Sequence, residues 1–175
     1  MNPVFYTTIS TGFGGILIVD QKPVSGAHGF GGEIANTIIK RDGDKVNYLN
    51  AGAVENEVSG TALLRKYKEK TGNDVAHAGV IFDLAVEGDE ISKEIVENFE
   101  RDLGQFYAAV SCVCDPEVFV LGGGVMHSKD IFLPKVVEHF KEMSHEGVAD
   151  TKFLEAELEE PGIVGAAMLA KYYGF

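Results

Sequence analysis

The chain is short of cysteine, of basic charge, of long apolar runs and of clustered histidine, and each shortage closes a class of function. Its two cysteines, Cys112 and Cys114, lie two positions apart in a helical pattern, so their side chains leave on different faces. That spacing suits neither a disulfide nor a metal pair, and it predicts two small buried hydrophobes. Fifteen Lys and Arg stand against 27 Asp and Glu, a formal net charge of −12. Such a balance opposes sequence-independent attraction to nucleic acid or to an anionic membrane. No apolar run is long enough to span a bilayer, and the start lacks a basic region followed by an apolar one, so the expected location is cytoplasmic. The histidines, His28, His77, His127, His139 and His145, have no paired spacing that would bind zinc. Only His28, in a glycine-rich stretch, stands as a site candidate, and no serine, histidine and acid arrangement points to a hydrolase.

What remains is a well-stocked globular sequence. Apolar residues make up 45% of 175 positions, enough for one compact domain with a real core. The β-branched and aromatic runs "VFYTTIS" and "GILIVDQKPVSGA" predict a three-stranded meander with a turn at "DQKP". Residues 28–53 mix glycine, charge and apolar pairs without a period and read as loop, with room for a short helix or strand. Ser59 and Gly72 bracket a helix whose apolar side carries Ala62, Leu63 and Tyr67. "AGVIFDLAVEGD" reads as a second, short helix. The longest helix runs from about Ile91 to Cys114, with Ile91, Ile95, Phe99, Leu103, Phe106, Tyr107 and Val110 spaced by three or four. After Asp115-Pro116 comes a buried strand, "EVFVL", then a helix broken or kinked at Pro134, a last strand "KFLEAEL" and a terminal helix "GIVGAAMLAKYYG". The order predicts an α/β fold with a mixed sheet, a meander plus two further strands, flanked by helices. Ligands of such sheets sit at the carboxyl ends of strands.

Two glycine clusters fall at those ends. In "STGFGG", Gly12, Gly14 and Gly15 free the backbone to approach an anion, and Thr11 adds a hydroxyl donor. The stretch lacks the lysine of a Walker loop, and a strand rather than a helix follows it, so a plain hairpin turn is the competing account. In "LGGGV", Gly122, Gly123 and Gly124 can let a flat aromatic group rest against the backbone, or can form only a tight strand-to-helix turn. Two clusters at strand ends favour a nucleotide site. Glu33, Asn36 and Glu55 lie in or beside the loop, where carboxylates and amides can accept from vicinal hydroxyls, although any one of 27 acids is more often a solvated surface group.

These stretches together resemble the ROK family (repressors, open reading frames, sugar kinases). "STGFGGILIVD...PVSGAHGFGGEIAN" is similar to its glycine-threonine-glycine turn, strand pair and Gly-Glu-Ile-Gly-His loop. "AVENEVSGTAL" resembles its Cys-Leu-Glu and Ser-Gly segment, "DPEVFVLGGGV" its adenosine-side motif and "EPGIVGAAMLA" its terminal helix. The similarity covers nearly the whole chain in the family's order. It implies an actin-like ATPase (ribonuclease H-like) fold, of which residues 1–175 would be the carboxyl-terminal domain. Thr11, Gly12, Gly14 and Gly15 would then face ATP phosphates, with Mg²⁺ as the accompanying cation, and Gly122, Gly123 and Gly124 the adenosine. Glu33 and Glu55, with Asn36 and His28 beside them, would meet a hexose or amino-hexose.

The departures from the family pattern matter as much. The catalytic aspartate of the family belongs to an Asn-Asp-Ala-Asn type motif in an amino-terminal domain, and this sequence has neither that motif nor the amino-terminal phosphate motif. The resemblance therefore implies part of an ATP-dependent sugar kinase, inactive alone and holding no catalytic residue of its own. The alternative is the effector domain of a sugar-responsive repressor of the same family. Many members bind zinc through the loop histidine and three cysteines. Here Asn36 stands at the histidine position and residues 37–54 contain no cysteine, so no zinc is expected and the loop must be ordered by packing or by a partner. A homodimer is a further expectation.

Overall fold

The computed structural model describes residues 1–158 and 163–168. Strand β1, Val4–Ile9, alternates buried Phe5, Thr7 and Ile9 with half-buried neighbours, the period of a strand with one face on a core. The chain turns at Ser10–Gly12 and returns antiparallel as β2, Phe13–Val19. Asp20 and Gln21 then hold φ of 51° and 64°, the pair of positive values that a two-residue hairpin turn requires. The third strand, β3, is only Lys22–Pro23, with Val24 N–H donating to Leu17 O at 2.9 Å just beyond it, and Pro23 leaves the outer edge of the sheet without a donor.

Strand β4, Val118–Gly122, pairs parallel to β1 on its other side, and β5, Lys152–Glu155, pairs parallel to β4. The sheet runs β3-β2-β1-β4-β5 and is mixed, as the element order predicts. Helices α1 (Glu55–Val58), α2 (Gly60–Thr71), α3 (Ala78–Glu87) and α4 (Glu90–Cys114) lie between β1–β3 and β4, and α5 (Lys129–Met143) joins β4 to β5. The caps at Ser59 and Gly72 fall where the sequence signals them, and Gly88 and Asp89 add two more. Ser59 Oγ accepts from Ala62 N–H at 3.1 Å, Asp89 Oδ1 from Ser92 N–H at 2.7 Å, and Gly72 and Gly88 close their helices in the left-handed region.

The apolar stripe of α4 packs on the sheet through Phe106 and Tyr107 and on α3 and α5 through Phe99, joining Phe5, Phe82, Phe119, Phe132 and Phe140 in one core of tilted and edge-on rings. Buried Thr7 is satisfied there by a 2.7 Å hydrogen bond with the Tyr107 hydroxyl. Helix α5 crosses α4 at Gly104, where a Cβ would stand 2.6 Å from His139 Cβ and 3.0 Å from the Val136 carbonyl oxygen.

Three expectations change. Cys112 is exposed and Cys114 half-buried, because Cys112 falls on the outer face of the helix while Ser111 and Cys114 turn toward the core. Helix α5 runs unbroken through Pro134, which sits in its second turn. The last strand stops at Glu155, where its pairing with β4 runs out at Leu121. Of the terminal helix, residues 163–168 are helical, and the rest of that stretch lies outside the described residues.

Candidate functional site

Because β1 and β4 run parallel, their carboxyl ends reach the same edge of the sheet and bring both glycine clusters together. Gly123, at φ 95°, lies flat against Ile9, and a Cβ there would stand 2.7 Å from Ile9 N. Gly122 is closed in by the Tyr6 hydroxyl, 2.9 Å from where its Cβ would be. Gly124 differs, since nothing lies within 4 Å of its missing side chain and it borders an open cleft. The first cluster divides in the same way. Gly14 and Gly15 lie inside β2 opposite Thr8 and Thr7, and a Cβ on Gly15 would meet Ile34 Cδ1 at 2.8 Å, so this glycine seats the following loop. Thr11 and Gly12 form the turn itself.

The turn closes on itself through Ser10 N–H, which donates to Gly12 O at 2.9 Å, is held from outside, and leaves its other two donors free. Its carbonyls are taken by the start of α2, Gly60 N–H donating to Ser10 O at 2.7 Å and Thr61 N–H to Thr11 O at 3.4 Å. Glu55 Oε2 accepts from Phe13 N–H at 2.9 Å and lies 2.7 Å from where a Gly12 Cβ would be. Among the described residues, the N–H groups of Thr11 and Gly12 donate to no protein atom. Successive unspent amides on a tight turn form a concavity for an anion.

The turn opens onto a cleft of about 750 Å³ whose walls include Thr11, Thr61, His77, Gly79 and Gly124. Three helices begin there. Helix α2 starts at Gly60, α3 starts after His77, which makes no side-chain cap, and α5 starts after Ser128, which also makes none. Their positive ends converge on one cavity, which favours an anionic ligand in spite of the chain's negative charge. His127 Nδ1 lies 2.7 Å from the Gly124 carbonyl oxygen and fixes the lip of the second glycine cluster.

The residues assigned to a sugar by resemblance lie in and beside the loop that follows β3. Glu33 and Asn36 bracket a single 3₁₀ turn, Ile34–Asn36, and both are exposed, as is His28. Asn36 Oδ1 accepts from Asn50 N–H at 2.6 Å, so this amide ties the two limbs of the loop together. Glu55, half-buried, opens α1 and touches the Ser10–Gly12 turn as described. The structure thus joins Glu55 directly to Gly12, and sets Glu33 and Asn36 on the loop that Gly15 seats.

The loop is ordered by a network that the sequence does not announce. Ile38 bridges Ala53, Val54 N–H donates to Thr37 O at 2.8 Å, and Gln105 Nε2 donates to Ile39 O at 2.9 Å. Lys40 Nζ lies 2.8 Å from Glu57 Oε2 and 2.7 Å from Asp102 Oδ2, and Lys66 Nζ lies 2.7 Å from the same Glu57 oxygen. Burial pushes the Asp102 carboxyl up and the Lys66 amine down. Burial also raises Glu57, but hydrogen bonds from the two lysines bring it net below the usual carboxylate range. Among the described residues no three His, Cys, Asp or Glu side chains converge to hold a metal.

Sequence reasoning missed this network because each member, alone, is an ordinary charged residue. It also missed Thr61, His77, Asp83, His127 and Ser128 of the cleft, although the helix starts that carry most of them are legible.

The sequence profile of the ROK family matches residues 1–172. The chain is 29% identical over 170 residues to N-acetylmannosamine kinase of Yersinia pestis (strain Pestoides F), an alignment covering 96% of this chain and 57% of that protein. It therefore spans little more than half the length of the curated relatives it matches. Among solved structures, a ROK hexokinase from Thermus thermophilus superposes with a TM-score of 0.90 at 26% identity, covering 98% of this chain and 58% of that one. A ROK family glucokinase from Streptomyces griseus in complex with glucose and AMPPNP superposes at 0.82 and 26%, covering 98% and 61%. A ROK family transcriptional regulator, a homolog of E. coli MLC, shares the fold at 0.77 and 23%, covering 98% and 46%. The sheet and helices described above are thus those of the actin-like ATPase fold.

Proposed function

The chain belongs to the ROK family, and from that premise we propose that it is the carboxyl-terminal part of an ATP-dependent sugar kinase, providing one wall of the nucleotide site and the acceptor-sugar carboxylates. The observation that carries this proposal is the pair of unspent amides at Thr11 and Gly12, opening onto a cleft where three helices begin. A polyphosphate needs such donors, and the packed glycines leave Gly124 free beside the same cleft for the nucleoside. The relatives named as kinases, and the glucokinase bound to an ATP analogue, support ATP as the nucleotide.

In this account Thr11 and Gly12 hold phosphates, and Gly124 lies against the nucleoside. Glu55, Glu33, Asn36 and His28 face the hexose or amino-hexose. Glu55 holds Phe13 N–H with one oxygen, so the carboxylate is fixed in place before any sugar arrives. The transferred phosphoryl group would leave ATP for a sugar hydroxyl, whose proton goes to a base that this chain does not supply. Among the described residues no carboxylates cluster into a cage for Mg²⁺, and the part of these residues is to bind and orient. A homodimer and a cytoplasmic location belong to the same account. No described helix is long and apolar enough to cross a membrane.

Calorimetric titration of the purified chain with AMPPNP, glucose and N-acetylmannosamine tests it. Expected are binding of AMPPNP, lost on Gly12→Val, and binding of a sugar, weakened at least about tenfold in Glu55→Gln, as for loss of a charge-assisted hydrogen bond. Turnover of Mg-ATP by the chain alone is expected to be absent. Failure to bind AMPPNP and either sugar would sink the proposal.

A further inference from the structure

Among the described residues one carboxylate lines the cleft, and it is in an unexpected place. Asp83 lines a cavity whose other polar side chains are hydroxyls and imidazoles, and it lies near three positive helix ends. Its carboxylate is exposed, and among the described residues it forms neither an ion pair nor a hydrogen bond. Both oxygens are therefore available to a ligand.

Its position follows from helix geometry. Gly79 and Asp83 are one turn apart on the same face of α3, about 6 Å along the axis. Gly79 abuts the start of α5, with Ser128 Oγ 3.7 Å from where its Cβ would stand. Thr61, by contrast, is tied by its backbone to the phosphate-side turn, 3.4 Å from Thr11 O. The cleft thus runs from an amide and hydroxyl end at Thr11 and Thr61 toward a wall that bears Asp83. A bare carboxylate repels phosphate, so it suits a ligand part that donates hydrogen bonds. Two vicinal hydroxyls can give both their protons to one carboxylate.

We infer that Asp83 accepts hydrogen bonds from the 2′- and 3′-hydroxyls of a bound ribonucleotide, and that it makes this cleft select ribonucleotides over 2′-deoxyribonucleotides. The inference rests on the nucleotide role proposed above and deepens it.

Equilibrium titrations of the chain and of Asp83→Ala with ADP, 2′-deoxy-ADP, IDP and pyrophosphate test it. The side chain is exposed, so the variant keeps the fold. The wild-type chain is expected to bind ADP about tenfold more tightly than 2′-deoxy-ADP, the loss of one charge-assisted hydrogen bond. Asp83→Ala, which loses both hydroxyl contacts, is expected to weaken ADP below the wild-type level for 2′-deoxy-ADP, to bind ADP and 2′-deoxy-ADP equally, and to leave pyrophosphate unweakened, with ADP and IDP alike in both proteins. Equal wild-type affinity for ADP and 2′-deoxy-ADP overturns the inference and leaves the nucleotide role standing. An ADP preference over IDP that vanishes in Asp83→Ala overturns it too, by assigning the carboxylate to the base's exocyclic amine. A wild-type chain that binds neither ADP nor pyrophosphate overturns the nucleotide role itself.

Discussion

Glycines that look alike in a sequence do different work, and the difference is measurable. Gly123 is held at φ 95° against the backbone of Ile9, so Gly123→Ala combines a strained dihedral with a clash that only backbone movement can relieve. A loss of about 2–3 kcal/mol is expected in urea unfolding. Gly124→Ala meets no atom within 4 Å, so its stability should stay within about 0.5 kcal/mol of wild type. The added methyl enters the cleft, and AMPPNP affinity should fall instead. Opposite outcomes at adjacent positions would separate packing from ligand contact. Neither role is written in "LGGGV", because a glycine's neighbours come from β1, more than a hundred residues away in the chain.

At the level of elements, two packing devices make separate predictions. Gly104→Ala should gain up to about 1 kcal/mol of helix propensity. The close approach of α5, with Val136 O 3.0 Å from the new Cβ, opposes it through backbone rather than a flexible side-chain end. The clash is expected to win, with a net loss of about 1–3 kcal/mol in thermal or urea unfolding. Lys40→Met removes a cation from two nearly buried carboxylates, Glu57 and Asp102, whose side chains are 8% and 7% exposed. Lys40 itself is partly exposed, so the loss should fall below that of a fully buried pair, at about 1–3 kcal/mol. Hydrogen exchange should quicken first at Ile39 and Val54, whose amides bind within the loop.

Much of this level is legible in the sequence. The strands, the stripe of α4 and the caps at Ser59, Gly72 and Asp115 follow from local period and chemistry. What is not legible is tertiary. The exposure of Cys112 depends on which face the last turn of α4 keeps on the core, and the order of the cysteine-free loop depends on partners in α1, α2 and α4. The site was half legible, for the same reason. Thr11, Gly12, Gly124 and Glu55 stand in recognisable stretches, whereas Asp83 and His127 reach the cleft only because their elements are folded around it.

The molecule as a whole carries a pH dependence that its acidity alone does not predict. Burial, and then the nearby charges of Glu97 and Glu138, push the Glu100 carboxyl up to about 7, with Lys135 opposing them. A carboxyl raised in the folded state binds more protons there than in the unfolded chain. Its contribution is therefore most favourable below the unfolded value of 4.5 and is lost as pH rises toward about 7. Urea midpoints for Glu100→Gln should change less between pH 5 and pH 8 than those of wild type, and at pH 8 the variant should be the more stable. An unchanged slope would mean that the carboxyl is ionised throughout.

The parallel contact between the first strand and the fourth also sets an order of events during synthesis. Val4 pairs with Val118, so the centre of the sheet must wait while the intervening helices are translated, on the order of ten seconds at ribosomal speed. Until then β1 has only β2 beside it, and its other edge is an open template for any neighbouring strand. A nascent chain arrested before residue 118 should therefore depend on chaperones, and one released after residue 122 much less so.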